Sequence, residues 1–341
     1  MRAIEYTHTG STDVLQLVER EPAAPGPDEI RVRVAVAGIN PTDWKSRRGN
    51  RDGAALPHPQ VPGQDGAGLV DAVGANVTTF EQGERVWVWD AAYKRVEGTT
   101  QELAVLPATN VARLPEHASF DVGASLGIPA LTAHRALTAR EGGPERLAPG
   151  TLEGDFILVA GGAGAVGHAA IQLAIWAGAT VITTVSSEEK ARLAKSAGAH
   201  HVINYKTEDV AARVHSIVAH GVDVVVEVNA VANLATDLEL LAMGGTISMY
   251  AASGADEPSL PIRAAMNKNA RLQLMMTYTT STDQKHRAVQ AVSAALRDGA
   301  LGVGEEHGLP ITRFPLERAA EAYRVAENDV VGKVLIDVAA L

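Results

Sequence analysis

The stretch Asp155–Ala179, DFILVAGGAGAVGHAAIQLAIWAGA, decides how the rest of the chain is read. Phe156–Ala160 is a continuous apolar run, the pattern of a parallel strand buried on both faces. It runs into Gly162, Gly164 and Gly167, spaced G-x-G-x-x-G. The pattern then turns helical and closes at Gly178, a position suited to a left-handed cap. A strand, a glycine turn and a helix in this order form the context in which the motif holds a pyrophosphate. Gly162 is expected to make the tight turn, Gly164 to let the backbone approach a phosphate, and Gly167 to let helix and strand pack closely. Ala163, Ala165 and Val166 complete the loop, where free N–H groups and the helix dipole favour an anion.

Strand and helix patterns keep alternating beyond it. TVITTV, HHVINY, VDVVVEV and TISMYAA read as strands. SSEEKARLAKSAGA, TEDVAARVHSIVAHG and NLATDLELLAMGG read as helices between them. About 100 residues of such alternation predict a doubly wound parallel sheet with helices on both faces. The first ~120 residues differ: Ile30–Ala37 alternates as a strand, and GLVDAVG, GERVWVWD, QELAVLP and VARLP are shorter strands punctuated by Gly and Pro, as in a β-barrel. Residues 138–155, rich in Gly, Pro and charge, read as a surface loop. Near the end, ARLQLMMTYTT reads as an exposed strand, STDQKHRAVQAVSAALRDG and FPLERAAEAYRVAEN as amphipathic helices, and GKVLIDV as a closing strand.

Composition narrows the function. At ~150 residues per domain, the 341-residue chain suggests two domains. A net charge of -10 argues against a nucleic-acid partner, which needs a clustered basic face. No run approaches the ~20 apolar residues of a membrane span, and MRAIEYTHTG lacks a signal-peptide core, so a cytoplasmic location is expected. There are no cysteines. Disulfides, thiolate nucleophiles and cysteine-based zinc sites are thereby excluded.

The second strand bears on the choice of dinucleotide. An NAD site usually carries an acid at its end, on the ribose hydroxyls. Here Val185 is followed by Ser186 and Ser187, with Lys190 one helical turn on and Tyr205 after the third strand. Hydroxyls and a cation suit a 2′-phosphate, so NADPH is expected over NADH. Each residue also has a plain structural reading: Ser186 with Glu189 fits a capping box, Lys190 a solvated lysine, and Tyr205 a packing residue. Glu188 and Glu189 keep NADH in contention.

With these features in place, the chain resembles the zinc-independent quinone oxidoreductases of the medium-chain dehydrogenase/reductase superfamily, of the zeta-crystallin-like NADPH:quinone reductase type. The resemblance rests on GINPTDWKSRRG (38–49), VPGQDGAGLVDAVG (61–74), FEQGERV (80–86), LGIPALTAHRAL (126–137), GGAGAVGHAAIQLA (161–174), SAGAHHVINY (196–205), ATDLELLAMGGTI (235–247), FPLERAAEAY (314–323) and GKVLI (332–336). It implies a GroES-like catalytic domain of residues 1–124 and 272–341 and a Rossmann domain of residues 125–271, with the active site in the cleft between them. It also implies a homodimer joined through the edge strand RLQLMMTYT, with pairing into a tetramer left open.

In zinc alcohol dehydrogenases of this superfamily a Cys stands where Asn40 is, and a Gly-His-Glu where Gly63-Gln64-Asp65 is. Amides are poor zinc ligands, so no metal is expected. The resemblance puts Asn40 near the nicotinamide ribose and the substrate. It makes Asp43, Lys45, Gln64 and Asp65 candidate catalytic residues, and adds Asn229 and Lys333 to the cofactor contacts. Asn40 and Asp43 also fit helix capping, and Asp65 fits backbone capping of the glycine turns around it. Lys45 and Arg51 replace tyrosines found in many quinone reductases, which leaves the acceptor open. Three activities compete: hydride transfer from NADPH to a quinone, reduction of an alkenal or enone, and a non-enzymatic NADPH-binding role like that of crystallin or RNA-binding relatives.

Overall fold

The computed structural model describes residues 1–251, 257–328 and 330–340. Its strands are β1 Arg2–His8, β2 Gln16–Glu19, β3 Glu29–Gly38, β4 Ala55–Gln60, β5 Asp65–Val73, β6 Arg85–Val88, β7 Leu103–Pro107, β8 Val111–Arg113, β9 Phe156–Ala160, β10 Thr180–Val185, β11 His201–Asn204, β12 Val222–Glu227, β13 Leu241–Met249, β14 Arg271–Leu274, β15 Ile311–Pro315 and β16 Lys333–Asp337. Its helices are α1 Pro41–Arg48, α2 Phe120–Leu137, α3 Ala165–Trp176, α4 Glu188–Ser196, α5 Val210–Ile217, α6 Ala230–Leu240, α7 Ile262–Asn267, α8 Thr282–Arg297 and α9 Ala319–Glu327. No helix among the described residues is long and apolar enough to cross a membrane.

The chain divides into two compact units, Met1–Ile128 with Ile311–Leu341, and Pro129–Pro310. The reading from sequence placed the return to the first domain at residue 272. The contacts group 272–310 with the second unit, because β14 extends the sheet of that unit and α8 packs on α3.

The first unit is the β-rich one. Its main sheet runs β15-β16-β3-β5-β6-β8, with β7 also on β3. The long strand β3 is the hub, antiparallel to β5, β7 and β16. Its alternate residues Ile30, Val32 and Val34 are fully buried, as the β-branched alternation demands. β1 and β4 went unassigned in the sequence; β4 contains Pro57 and Pro59 and sits at the edge of a three-stranded sheet, where missing donors cost nothing. α2 went unassigned too, because Pro129 lies inside it.

The second unit is the expected parallel sheet, ordered β11-β10-β9-β12-β13-β14. Gly178 and Gly198 take φ of +97° and +105° just past α3 and α4, as their positions predict. α6 ends earlier than read, at Leu240, and Leu241 to Met243 already belong to β13. That strand stops at Met249, and Ala252, the last residue of the strand as read, lies outside the described residues. β14 is a short edge strand, with Leu274 exposed at its end.

One glycine on β5 is compelled by contact. A Cβ at Gly68 would lie 1.9 Å from the backbone oxygen of Arg33, where β3 shifts register. Backbone cannot yield as a side-chain tip can. Gly68→Ala should therefore lose ~1–3 kcal/mol of stability, read as a lowered urea midpoint with unchanged slope. An unchanged midpoint would show that β3 relaxes freely here.

Candidate functional site

Two groups of candidate side chains emerge, one in each unit.

In the first unit, strand register gathers the polar residues. Gly38, the last residue of β3, faces Asp65 on β5 and Leu335 on β16. Asn40 follows directly, and Lys333 opens β16. A Cβ on Gly38 would meet the Ala124 backbone oxygen at 1.9 Å, so the missing side chain lets α2 press against this end of the sheet.

The resulting network is almost wholly buried. Asn40, Asp43, Gln64, Asp65 and Lys333 are each at most 5% exposed. Lys333 Nζ donates to Asn40 Oδ1 at 2.7 Å, and Asn40 Nδ2 donates to Asp65 Oδ2 at 2.6 Å. Charges of opposite sign at the two ends of the amide settle its orientation. Asp65 accepts the Ile128 N–H at 2.9 and 3.0 Å, just before Pro129 interrupts the ladder of α2. Gly127 makes room for this contact, since a Cβ there would sit 2.0 Å from Asp65 Oδ1. Asp43 Oδ2 accepts the Asn40 backbone N–H at 2.7 Å, the return half of a capping box.

Two carboxyls and one ammonium share this dry volume. Burial pushes Asp43 up to about 7, with the neighbouring Asp65 adding to the rise. Burial pushes Asp65 up to about 6, opposed by Lys333 and the Asn40 amide. Burial lowers Lys333, opposed by Asp65 and then Asp43.

The structure gives the candidate residues distinct partners and exposures. Asp65 does not cap its own glycines: its carboxyl spans Asn40 and α2. Gln64 Oε1 accepts the Ala92 N–H at 3.2 Å. Lys333 is buried inside the first unit, with its ammonium on the Asn40 amide oxygen. Lys45 and Arg51 are exposed, Lys45 with its ammonium 5.5 Å from the Trp44 ring centre. Among the described residues no group of three or more His, Asp or Glu is arranged to hold a metal.

In the second unit, the glycine loop joins β9 to α3. The turn itself falls on Gly161, at φ +71°, one residue before the glycine expected to make it. Gly162 is needed for packing instead, since a Cβ would meet Thr183 Oγ1 at 2.2 Å. Gly167 lies against Gly161, its Cβ position 2.4 Å from that carbonyl oxygen, as close helix–strand packing requires. A Cβ on Gly164 would meet only the Gly161 oxygen, at 3.4 Å, so the loop is open above that residue. Ala163 is buried and Ala165 and Val166 begin α3, which carries free N–H groups at its start.

At the end of β10, Ser187 and not Ser186 caps α4, accepting the Lys190 N–H at 3.2 Å. Ser186 therefore does not cap α4. Ser186 and Lys190 are half-buried and Tyr205 is exposed after β11. Glu188 and Glu189 both face solvent. Asn229 opens α6, and its backbone N–H donates to Glu227. Glu227 is not among the candidates that the motifs single out. Its signal was an acid within the otherwise apolar run Val224–Val228.

Comparison with known proteins identifies the family of the chain. The family described as "Alcohol dehydrogenase GroES-like domain" matches residues 26–116, and "Zinc-binding dehydrogenase" matches residues 165–294. The quinone oxidoreductase of Lama guanicoe is 31% identical, covering 98% of this chain and 97% of its own length. The 2-haloacrylate reductase of a Burkholderia species is 30% identical, over 96% of each chain. Among solved structures, an NAD-dependent alcohol dehydrogenase superposes with a TM-score of 0.84 at 30% identity, covering 99% of this chain and 100% of that one. Escherichia coli quinone oxidoreductase complexed with NADPH gives 0.78 at 27% identity, over 99% and 100%. The zinc in the second family's description finds no fitting donor set among the described residues: the Asn40 and Gln64 amide oxygens accept from Lys333 and the Ala92 N–H, and the sequence has no thiolate.

The raised carboxyls carry a pH signature. Where a folded acid titrates above its unfolded value, the native state holds protons that the unfolded chain has lost, and stability falls as pH rises through that interval. For Asp43 the interval runs from 3.8 to about 7. Asp43→Asn should lose a roughly constant increment with the capping bond, yet its stability should decline less than wild type between pH 4.5 and pH 7.5. Parallel curves in urea unfolding would show that Asp43 is charged in the native state throughout.

Proposed function

Since the chain belongs to the medium-chain dehydrogenase/reductase superfamily, we propose that it is a zinc-independent, NADPH-dependent oxidoreductase that delivers hydride to a quinone. The observation that carries this reading is the glycine loop: open above Gly164, closed tightly at Gly162 and Gly167, and leading into the N-terminus of α3. Those residues fit a dinucleotide pyrophosphate. When bound, the reduced dinucleotide supplies the hydride, so the protein's share is binding, orientation and electrostatics.

Preference for the 2′-phosphate rests on the end of β10. No acid stands there, Ser186 is free of the cap, and Lys190 brings a cation within one helical turn. The NADPH complex of the E. coli relative supports the same choice, and the NAD-dependent neighbour marks the alternative.

Asn40 is the residue read as meeting the reacting end. Lys333 and Asp65 fix its amide and leave one Nδ2 hydrogen for a ribose hydroxyl or an acceptor oxygen. A preorganised donor of this kind stabilises charge that develops on oxygen without reorganising. Quinones need little further help, because their reduced form spreads charge over an aromatic ring. The second reading is an enone or activated-alkene reductase. It is favoured by the Burkholderia relative, whose name specifies a conjugated alkene. A non-enzymatic role has no observation of its own.

The experiment is a dinucleotide-oxidation screen with NADPH and NADH against simple quinones and 2-alkenals, with and without chelator. The expected result is the highest kcat/KM for NADPH with quinones, undiminished by chelator. Lys190→Ala should raise the KM for NADPH ~10-fold relative to NADH, the weight of one charge-assisted hydrogen bond. Higher turnover on 2-alkenals selects the second reading, and no turnover on any acceptor defeats both.

The edge strand β14, with Leu274 at its end and Met276 just beyond both exposed, is read as the pairing surface of a dimer. Light scattering should give twice the chain mass, and Leu274→Lys should yield monomer. A wild-type monomer at micromolar concentration rejects the pairing.

A further inference from the structure

The sheet of the second unit ends in a buried acidic pair that the reading above does not use. Glu227 is the last residue of β12 and is fully buried; Asp237, on α6, is 3% exposed. Their carboxyl groups are in hydrogen-bonding contact. Asn233, one turn earlier on α6, donates its Nδ2 to Glu227 Oε1 at 3.1 Å and Oε2 at 3.3 Å. The Asn229 backbone N–H also donates to Glu227 Oε1. Neither carboxyl has a cationic partner among the described residues. Among the described residues, the further titratable group that senses the pair is the Tyr250 phenol beyond β13, which burial and Glu227 raise.

Two adjacent carboxylates cannot both ionise in such a place at moderate cost, so one proton must lie between them. Every other donor points at Glu227, which makes Glu227 the charged member and Asp237 the proton holder. Burial and the Glu227 charge push Asp237 up to about 9.

What the pair holds matters for the site. Glu227 grips the two-residue turn Val228–Asn229 from below. This turn lies at the carboxyl ends of the parallel strands, the edge where such sheets bind ligands. The Val228 Cγ1 atom sits 3.4 Å from the Cβ position of Gly161, the residue that makes the phosphate-loop turn. Glu227 thus holds the Asn229 backbone N–H, and the glycine turn has Val228 as its neighbour.

We propose that Glu227 and Asp237, sharing one proton, form a clasp that positions the Val228–Asn229 turn against the glycine loop, so that dinucleotide affinity depends on that proton. The pair are positioning residues, and the proposal rests on the dinucleotide reading above. Removing the proton leaves two ionised carboxylates in contact, which drives α6 from β12 and releases the Asn229 N–H. An Asp237→Asn side chain supplies the same hydrogen bond from an amide and has no proton to lose.

The test is titration of NADPH onto the purified protein by nicotinamide fluorescence, from pH 6.5 to pH 10, in wild type, Asp237→Asn and Glu227→Ala. Wild type should bind ~10-fold more weakly above pH ~9 than at neutrality, while Asp237→Asn keeps a flat profile with near wild-type affinity at pH 7. Glu227→Ala should bind ~10- to 100-fold more weakly at every pH, with KM affected more than kcat. Wild-type and Asp237→Asn profiles that fall together overturn the shared proton, and wild-type affinity in Glu227→Ala overturns the clasp. Should Glu227→Ala not fold, the comparison of wild type with Asp237→Asn decides alone. If wild type binds no dinucleotide, the functional reading fails and the clasp is still decided by amide exchange. Asn229 should lose protection above pH ~9 in wild type and keep it in Asp237→Asn; equal protection in the two refutes the clasp.

Discussion

The register of β3 between β5 and β16 is the constraint on which the first unit depends. Asn40 follows β3, Asp65 lies on β5 and Lys333 on β16, so their side chains meet only when the three strands pair as they do. A slip of one residue would turn each side chain to the opposite face of the sheet. The pairing is enforced by the buried alternation Ile30, Val32, Val34 and by glycines at the points of closest approach. Gly38 admits the backbone of α2, and α2 in turn delivers the Ile128 N–H that Asp65 requires. Hydrophobic register and polar network are thus one arrangement: the apolar faces set the strands, and the strands set the hydrogen bonds.

The network trades stability for a fixed amide. Two buried carboxyls against one ammonium is an unfavourable balance, expressed in the raised carboxyls and the lowered lysine. In return Asn40 is held at both ends by groups of opposite sign, with one orientation available to it. Hydrogen bonds among Asn40, Asp65 and Lys333 organise this end of the sheet. The second unit repeats the theme on a smaller scale, where Glu227 gathers backbone and side-chain donors around a single buried charge.

Local pattern made much of this visible. Periodicity marked the alternating strands and helices of the second unit, because a strand buried on both faces cannot avoid a continuous apolar run. The glycine spacing marked the loop, although its turn belongs to Gly161, and Gly162, expected to make that turn, serves packing against Thr183. Interruptions hid other elements. Pro129 masked α2, prolines masked β4, and the Ser186–Glu189 spacing imitated the cap that Ser187 makes. In each case two local rules competed, and the fold settled between them through contacts remote in sequence.

The sequence alone determined the doubly wound sheet, the β-rich companion unit, the phosphate loop and the lack of any thiolate. These depend on residue type and on spacing within a few residues. Only the tertiary structure decided what Asp65 and Lys333 do. One bridges an amide to a helix 63 residues away and the other supports that amide from 293 residues away. Asp65 looked like a carboxylate stranded among glycines because its partners lie on other elements. Burial by those elements also moves its protonation, and burial is a property of the packed chain rather than of any stretch of it.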